Sequence, residues 1–284
     1  MKQPKVIVIV GQTATGKSDL AVKLAKKYNG EVISADSRQV YKTLDIGTGK
    51  ITKKEMKGVP HHLLDVADPK TKFSVTQYQT LATQALNEIT KKGKTPIICG
   101  GTGFYIDAVT KGIVFPEVPP NHKLRSQLEN KTTEELVKIL TKLDKSRTKT
   151  IDKKNRVRLI RAIEIAKDLG KVPKIKETKS NYKFIKIGLT LPPLELNKKI
   201  ENRIKKMFDN GLMKEVSKLK KRGVTEARLR EFGFEYYKPT LESVITGNIK
   251  YSKRQMTWFK RDKEIKWFSP SQEKDIENYI SKRI

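Results

Sequence analysis

Apolar residues along this chain switch between two spacings, and the switch points outline its architecture. Lys5–Val10 is an unbroken β-branched run, the pattern of a strand buried on both faces. After it, Leu20, Leu24 and Tyr28 recur at helical spacing beside Ala21 and Ala25, which predicts a helix over Ser18–Tyr28. Glu31–Ala35 reads as a second strand. Ser74–Lys91 reads as a long amphipathic helix with Ser74 as its N-cap. Thr95–Cys99 is a third strand, stopped by Gly100 and Gly101, and Thr102–Lys111 follows with helical character. Strand, helix, strand, helix in this order predicts a parallel α/β sheet with right-handed crossovers.

The pattern changes past the proline-bearing joint Val118–Pro120. Asn121–Gly170 carries three helical stretches rich in Lys, Arg and Glu and no strand, and the lysine-rich Lys171–Lys183 reads as an exposed linker. Lys183–Leu191 returns to strand spacing. Pro192–Arg222 predicts two helices with a break near Gly211, and Ala227 to the end is mostly helical with a last strand near Ile265–Phe268. The expected organisation is an α/β core over residues 1–116 and 180–284, interrupted by a helical insertion at 117–179. No internal repeat is visible.

Charge sharpens this outline. The 284 residues carry 61 Lys and Arg against 31 Asp and Glu, a formal charge of +30. Scattered lysines also solubilise a surface, but an excess this large points to a polyanionic partner, nucleic acid before a membrane surface. Cys99 is the one cysteine, which excludes an internal disulfide or a cysteine zinc site and fits a reducing cytosol. The apolar run near the N-terminus is too short for a signal-peptide core or a membrane span.

The first strand-to-helix junction carries candidate chemistry. Gly11, Gly16, Lys17 and Ser18 fall at the spacing G-x-x-x-x-G-K-[ST], between a buried strand and a helix. Glycines let successive N–H groups turn toward phosphate oxygens, the helix N-terminus adds positive potential, Lys17 adds a point charge and the Ser18 hydroxyl can ligate Mg²⁺. A hydrolase built on such a loop places an Asp at the end of a neighbouring strand. Here Thr95–Cys99 runs instead into Gly100-Gly101-Thr102, where Thr102 offers a hydroxyl or simply caps the next helix. A carboxylate, Asp36, follows the second strand. It either caps the turn at Ser37–Tyr41 or serves a metal or a proton. Together these features point to a transferase whose donor carries phosphates, with Asp36 as base. His61 and His62 are adjacent, point in different directions and lack a partner set, so they read as structural or as cavity wall.

The segments "GQTATGKS", "ISADSRQVYKTLDIGTGK", "PHHLLDV", "GGTGFYIDAV", "NRVRLIRAIEI" and "KRQMTWFKR" occur in that order. Together they resemble the bacterial tRNA dimethylallyltransferases, also called tRNA isopentenyltransferases, over almost the whole chain. The resemblance implies a P-loop NTPase-like parallel sheet core flanked by helices, with an inserted all-helical tRNA-binding domain that clasps the anticodon stem-loop. It implies transfer of the dimethylallyl group from dimethylallyl diphosphate to N6 of the adenosine 3′-adjacent to the anticodon, with Mg²⁺, releasing diphosphate. By resemblance, Gly11, Gln12, Thr13, Ala14, Thr15, Gly16, Lys17 and Ser18 hold the diphosphate together with Arg203, and Ser18 helps hold Mg²⁺. Asp36 accepts the amino proton, Thr102 lines the channel beside it, and Arg203 completes the catalytic set. Asp36, Ser37, Arg38 and Gln39 are expected to grip a flipped adenine. Arg125, Val157, Arg158, Leu159, Ile160 and Arg161 are expected to contact RNA. Arg254 and Gln255 are expected to face the cleft while Trp258 packs. The resemblance also implies a cytoplasmic monomer with no membrane partner. Phe232–Ser252 is shorter than its family counterpart, which usually carries another helix there. A transferase for free AMP, ADP or ATP, or a small-molecule kinase, would use the same loop, but the helical insertion and the basic excess favour tRNA.

Overall fold

The computed structural model describes residues 3–284; Met1 and Lys2, which open the core as read from the sequence, lie outside the described residues. Two compact units emerge, one running up to Gly112 and again from Lys179 to Ile284, the other spanning Ile113–Thr178.

The larger unit begins with β1 (Lys5–Gly11), α1 (Lys17–Lys27), β2 (Gly30–Ser34), α2 (Lys53–Met56), β3 (His61–His62), α3 (Val75–Lys91), β4 (Thr95–Cys99) and α4 (Gly103–Thr110). The smaller unit holds β5 (Ile113–Val114), α5 (His122–Glu129), α6 (Thr133–Leu143), α7 (Lys145–Thr150), α8 (Arg156–Leu169) and β6 (Lys176–Glu177). The chain then completes the larger unit with β7 (Lys183–Leu189), α9 (Pro193–Asp209), α10 (Leu212–Lys221), α11 (Glu226–Phe232), α12 (Leu241–Phe259), β8 (Lys266–Phe268) and α13 (Glu273–Ser281).

Six parallel strands form one sheet in the order β3-β2-β4-β1-β7-β8. The continuous apolar run of β1 divides by parity: Val6, Val8 and Val10 face one core and Ile7 and Ile9 the other. Each such side chain contributes about 1.5–3 kcal/mol on burial, so the central strand anchors both layers. Helix boundaries follow capping chemistry. Ser74 caps α3 by accepting from the Gln77 N–H while the Gln77 side chain accepts from the Ser74 N–H, and Thr240 and Ser243 do the same for α12. The stretch that begins at the end of α11, expected from the sequence to be shorter than its family counterpart, is well packed at its start: Phe232 and Tyr236 are each 1% exposed.

Two expectations need correction. The insertion is not all-helical, because Lys176–Glu177, read as linker, pairs antiparallel with Ile113–Val114 and joins the two ends of the smaller unit. Two-residue strands carry no readable periodicity, and the same holds for β3 at the sheet edge. The insertion also has four helices rather than three among the described residues, since Asp144 both ends α6 and caps α7 through the Arg147 N–H. The core of this unit is Leu128, Leu136, Leu140, Leu159 and Ile163 with their neighbours.

Each unit buries one carboxylate among cations. Burial works against the charge of Glu31, but Lys94 and His62 hydrogen-bond it and hold it at about 2. At Glu164 burial is again overcome, by Arg125, the Asn121 N–H and Arg161, and the group lies at about 2. Both values lie below that of an unfolded glutamate, so this stabilisation is complete above about pH 5 and disappears as pH falls toward about 2. Thermal midpoints should therefore drop steeply across that window. Glu31→Gln should lower the neutral-pH stability by about 1–3 kcal/mol and flatten the acid slope, which melts across a pH series would measure.

Candidate active site

Three strand ends meet where the site forms. Ala35 N–H donates to Cys99 O (2.8 Å), Gly100 N–H to Ile9 O (3.1 Å) and Thr102 N–H to Ala35 O (3.1 Å), so the exits of β1, β2 and β4 are hydrogen-bonded together. A Cβ on Gly100 would lie 2.2 Å from Ala35 O, so only glycine permits this approach.

From β1 the chain enters the phosphate loop. Gly11 has φ +138°, and a Cβ there would strike Leu189 O at 2.3 Å. Ala14 is held at φ +61°, a left-handed conformation that costs a non-glycine residue about 1 kcal/mol and is tolerated at functional loops. Gly16 (φ +83°) is the N-cap of α1 and is exposed. The Thr15 hydroxyl donates to Gln12 O (2.8 Å), and Lys17 Nζ donates to the same carbonyl (2.5 Å). Burial pushes the Lys17 ammonium down to about 8, and Arg203 pushes the same way. Beneath the loop, burial pushes the Cys99 thiol up to about 12, which makes it inert packing rather than a nucleophile. Ser18 is exposed in the first turn of α1, and its hydroxyl makes no hydrogen bond among the described residues.

Asp36 caps its turn with one carboxylate oxygen and leaves the other without a hydrogen bond among the described residues. Its Oδ1 accepts from the N–H groups of Arg38 (2.8 Å) and Gln39 (3.3 Å), capping a turn rather than a helix. Its Oδ2 makes no hydrogen bond among the described residues, and the residue lines the same cavity as Lys17. Thr102 occupies the N-cap position of α4, but its hydroxyl accepts from Ser37 N–H (2.9 Å) instead of capping that helix. It thereby fixes the Asp36 turn against the end of β4. Gln39 donates toward the carbonyls of Thr48 (3.4 Å) and Gly49 (3.3 Å).

Arg203 comes from α9, beside the buried stripe Leu196, Ile200, Ile204 and Met207. It is not a solvated helix charge: Nη1 donates to Thr13 Oγ1 (2.8 Å) and Nη2 to Thr48 O (3.2 Å). Gln255, 4% exposed on α12, accepts from Thr13 N–H (2.8 Å) and donates to Gly101 O (3.0 Å). It thus spans the phosphate loop and the glycine turn after β4. Trp258 packs on Gly103 and donates to Asp107 (3.1 Å), while Arg254 is exposed at the cavity rim.

A cavity of about 560 Å³ gathers Thr13, Ala14, Gly16, Lys17, Ser18, Asp36, Ser37, Arg38, Gln39, Arg203, Arg254 and Gln255. A second, of about 830 Å³, shares Ala14, Gly16, Gly49 and Arg203 with it and adds Thr15, Lys199 and Lys206. Gly11, Gln12 and Thr102, expected at the diphosphate and the channel, line neither cavity. Sequence reasoning missed Glu235, which lines the first cavity and accepts from Asn248 Nδ2 (3.3 Å). Burial pushes its carboxyl up to about 7 despite Arg38 and Arg203. It also missed Gly49, where a Cβ would lie 2.0 Å from Arg203 Nη2; the "GTGK" run was the available signal.

In the smaller unit the expected RNA-facing residues divide sharply. Arg158 and Val157 are exposed on α8. Leu159 has 0% exposure and Ile160 8%, so both pack that unit's core and offer no surface to a ligand. Arg125 and Arg161 both engage Glu164, and Arg161 also donates to Val118 O (2.8 Å). Elsewhere, His62 serves Glu31 and His61 faces Val59 O (2.9 Å), so neither histidine reaches the cavity. Among the described residues no His/Cys/Asp/Glu cluster could hold a metal by itself, and no helix is long and apolar enough to cross a membrane.

The profile of the IPP transferase family matches residues 39–262. A protein named tRNA dimethylallyltransferase from Anoxybacillus flavithermus is 38% identical, over 98% of this chain and 94% of its own length. The crystal structure of a tRNA isopentenylpyrophosphate transferase from Bacillus halodurans superposes with a TM-score of 0.74 at 35% identity, covering 99% of this chain and 96% of the other. A eukaryotic dimethylallyltransferase captured acting on tRNA gives a TM-score of 0.78 at 26% identity, covering 99% of this chain and 77% of the other.

Lys17 attracts an anion only as its ammonium form. Beyond the change brought by the ligand's own ionisations, affinity for inorganic diphosphate should fall about tenfold per unit above about pH 8, with proton uptake by Lys17 on binding. Calorimetric titrations in buffers of different ionisation heat would measure both, and Lys17→Arg should remove the slope. Gln255→Glu keeps an acceptor for Thr13 N–H but loses the donor to Gly101 and adds negative charge beside the loop. Diphosphate affinity should fall at least about tenfold, as the same titration would read.

Proposed function

The chain belongs to the IPP transferase family, and on that premise we propose how its site performs prenyl transfer. The chain transfers a dimethylallyl group from dimethylallyl diphosphate to N6 of the adenosine 3′-adjacent to the anticodon of tRNA, releasing diphosphate. The observation that carries this reading is one cavity in which a phosphate loop and Arg203 face a carboxylate, Asp36, while glycines stand where a hydrolase would place its metal-binding Asp. Such a site has cations for a leaving diphosphate and an acceptor for a proton, and no water-activating strand end.

The N–H groups of the loop, Lys17 and Arg203 bind the diphosphate and draw off charge as the allylic C–O bond breaks. Donors fixed in advance stabilise such charge more than solvent does, because they need no reorganisation. As the allyl carbon bonds to nitrogen, the Oδ2 of Asp36 takes the proton lost by the amino group. Oδ1 stays on the Arg38 and Gln39 amides and holds the carboxylate in place. Thr102 serves by orienting the Asp36 turn through Ser37. Ser18, with its free hydroxyl at the helix start, would hold Mg²⁺ together with diphosphate oxygens and water, a donor set that suits a hard cation. When bound, that ion would add charge neutralisation at the leaving group. The α5–α8 unit binds the anticodon stem-loop, with exposed Arg158 as its phosphate contact and Leu159 and Ile160 as support. The enzyme acts as a cytoplasmic monomer.

The test is a transfer assay with Mg²⁺ and radiolabelled dimethylallyl diphosphate, offering unmodified tRNA and AMP in parallel. Label should enter tRNA alone, and Asp36→Asn should lower the rate about 10²–10⁴-fold, the usual worth of a general base. Label in AMP, or full activity in Asp36→Asn, would contradict the reading.

A further inference from the structure

A buried carboxylate on α10 holds a loop that both halves of the site lean on. Glu215 is 8% exposed and pairs with no Lys or Arg among the described residues. Its Oε2 accepts from the N–H groups of Asp45 (2.9 Å) and Ile46 (2.8 Å), and its Oε1 from Gly47 N–H (3.0 Å) and the Tyr236 hydroxyl (2.9 Å). Burying a carboxylate is unfavourable unless donors surround it, and an apolar side chain would pack α10 equally well. What an apolar side chain could not do is fix three successive amides.

The loop so fixed continues straight into the site. Thr48 O accepts from Arg203 Nη2 (3.2 Å) and from Gln39 Nε2 (3.4 Å), and Gly49 O accepts from Gln39 as well (3.3 Å). At Gly49 the backbone, with φ +55°, lies so close to the guanidinium that a Cβ would be 2.0 Å from Nη2. Arg203 is therefore aimed at the phosphate loop by a carbonyl whose own position depends on the residues just before it. The Tyr236 hydroxyl fastens the segment carrying Glu235 to the same carboxylate. Burial and the Glu215 charge both keep that phenol protonated, as its donor role requires.

We propose that Glu215 is a positioning residue for diphosphate binding: it sets the Asp45–Gly49 loop, and through Thr48 and Gly49 it sets Arg203. The inference rests on the diphosphate reading of the site given above. A displacement of about 1 Å in such a group can change reactivity about a hundredfold, so loosening the loop should be felt at the ligand and not only in stability.

Glu215→Gln keeps shape but turns one of the two acceptor oxygens into an NH₂ facing N–H donors. The folded variant should bind inorganic diphosphate, with Mg²⁺, at least about tenfold more weakly. Tyr236→Phe, which leaves the three amide bonds in place, should change it by less than about threefold. A folded Glu215→Gln protein with unchanged diphosphate affinity would overturn the inference. Amide hydrogen exchange on the wild-type chain covers the case in which the variant does not fold. Asp45, Ile46 and Gly47 should be strongly protected with or without diphosphate; rapid exchange without ligand would show that the carboxylate does not hold the loop. The wild-type transfer assay runs alongside. If the wild type prenylates tRNA while Glu215→Gln binds diphosphate normally, only this inference falls. If the wild type binds diphosphate but transfers nothing, the prenyl-transfer reading falls and the Glu215 result stands on diphosphate affinity.

Discussion

The structure depends on backbone meeting backbone where β1, β2 and β4 end. Ala35 both donates to Cys99 and accepts from Thr102, and Gly100 can join them only because it lacks a side chain. Parallel strands direct their carboxyl ends to one edge, and there the first crossover supplies a helix N-terminus. Phosphate loop, Asp36 turn and glycine turn are therefore fixed relative to one another by main-chain hydrogen bonds. Side chains then refine that frame. Gln255 spans loop and turn, Thr102 holds Ser37, and Glu215 sets the neighbouring loop on which Arg203 rests.

Charge explains why this frame suits group transfer. Arg203 stands close enough to Lys17 to weaken its ammonium, and burial works against the charge of both. Two cations held under that strain gain most from a multiply charged leaving group. A carboxylate beside a phosphate site would ordinarily oppose binding. Here Asp36, which lines the cavity, has one oxygen satisfied by backbone amides and the other without a hydrogen bond among the described residues, which leaves it available for the proton transfer proposed above. Glu235, far from Asp36 in the chain, adds a second carboxyl that burial raises to about 7.

What could be read from the sequence was whatever is local. β1 shows as a β-branched run because both its faces are buried, and the phosphate loop shows because its glycines and lysine sit at fixed offsets. The series of motifs carried the family reading, and the family profile and the relatives agree with it. What stayed hidden depends on contacts across the chain. Glu215 meets its amides about 170 positions away, and nothing near it marks a carboxylate among helical lysines as an anchor. Leu159 and Ile160 lie in a motif that reads as RNA-facing, yet helical rotation turns them inward while Arg158 turns out. The β5–β6 ribbon escaped because two-residue strands have no period, and only pairing defines them.

The central assignment is that the phosphate loop holds the leaving diphosphate while Asp36 meets the amino group. The most direct measurement is a crystal structure of the enzyme with an anticodon stem-loop and a dimethylallyl thiodiphosphate that cannot leave. The expected result places the diphosphate on the amides of Ala14–Ser18, Lys17 and Arg203, with adenine N6 beside Asp36 Oδ2 and facing the allylic carbon. A diphosphate bound away from the loop, or an adenine amino group out of reach of Asp36, would contradict the assignment.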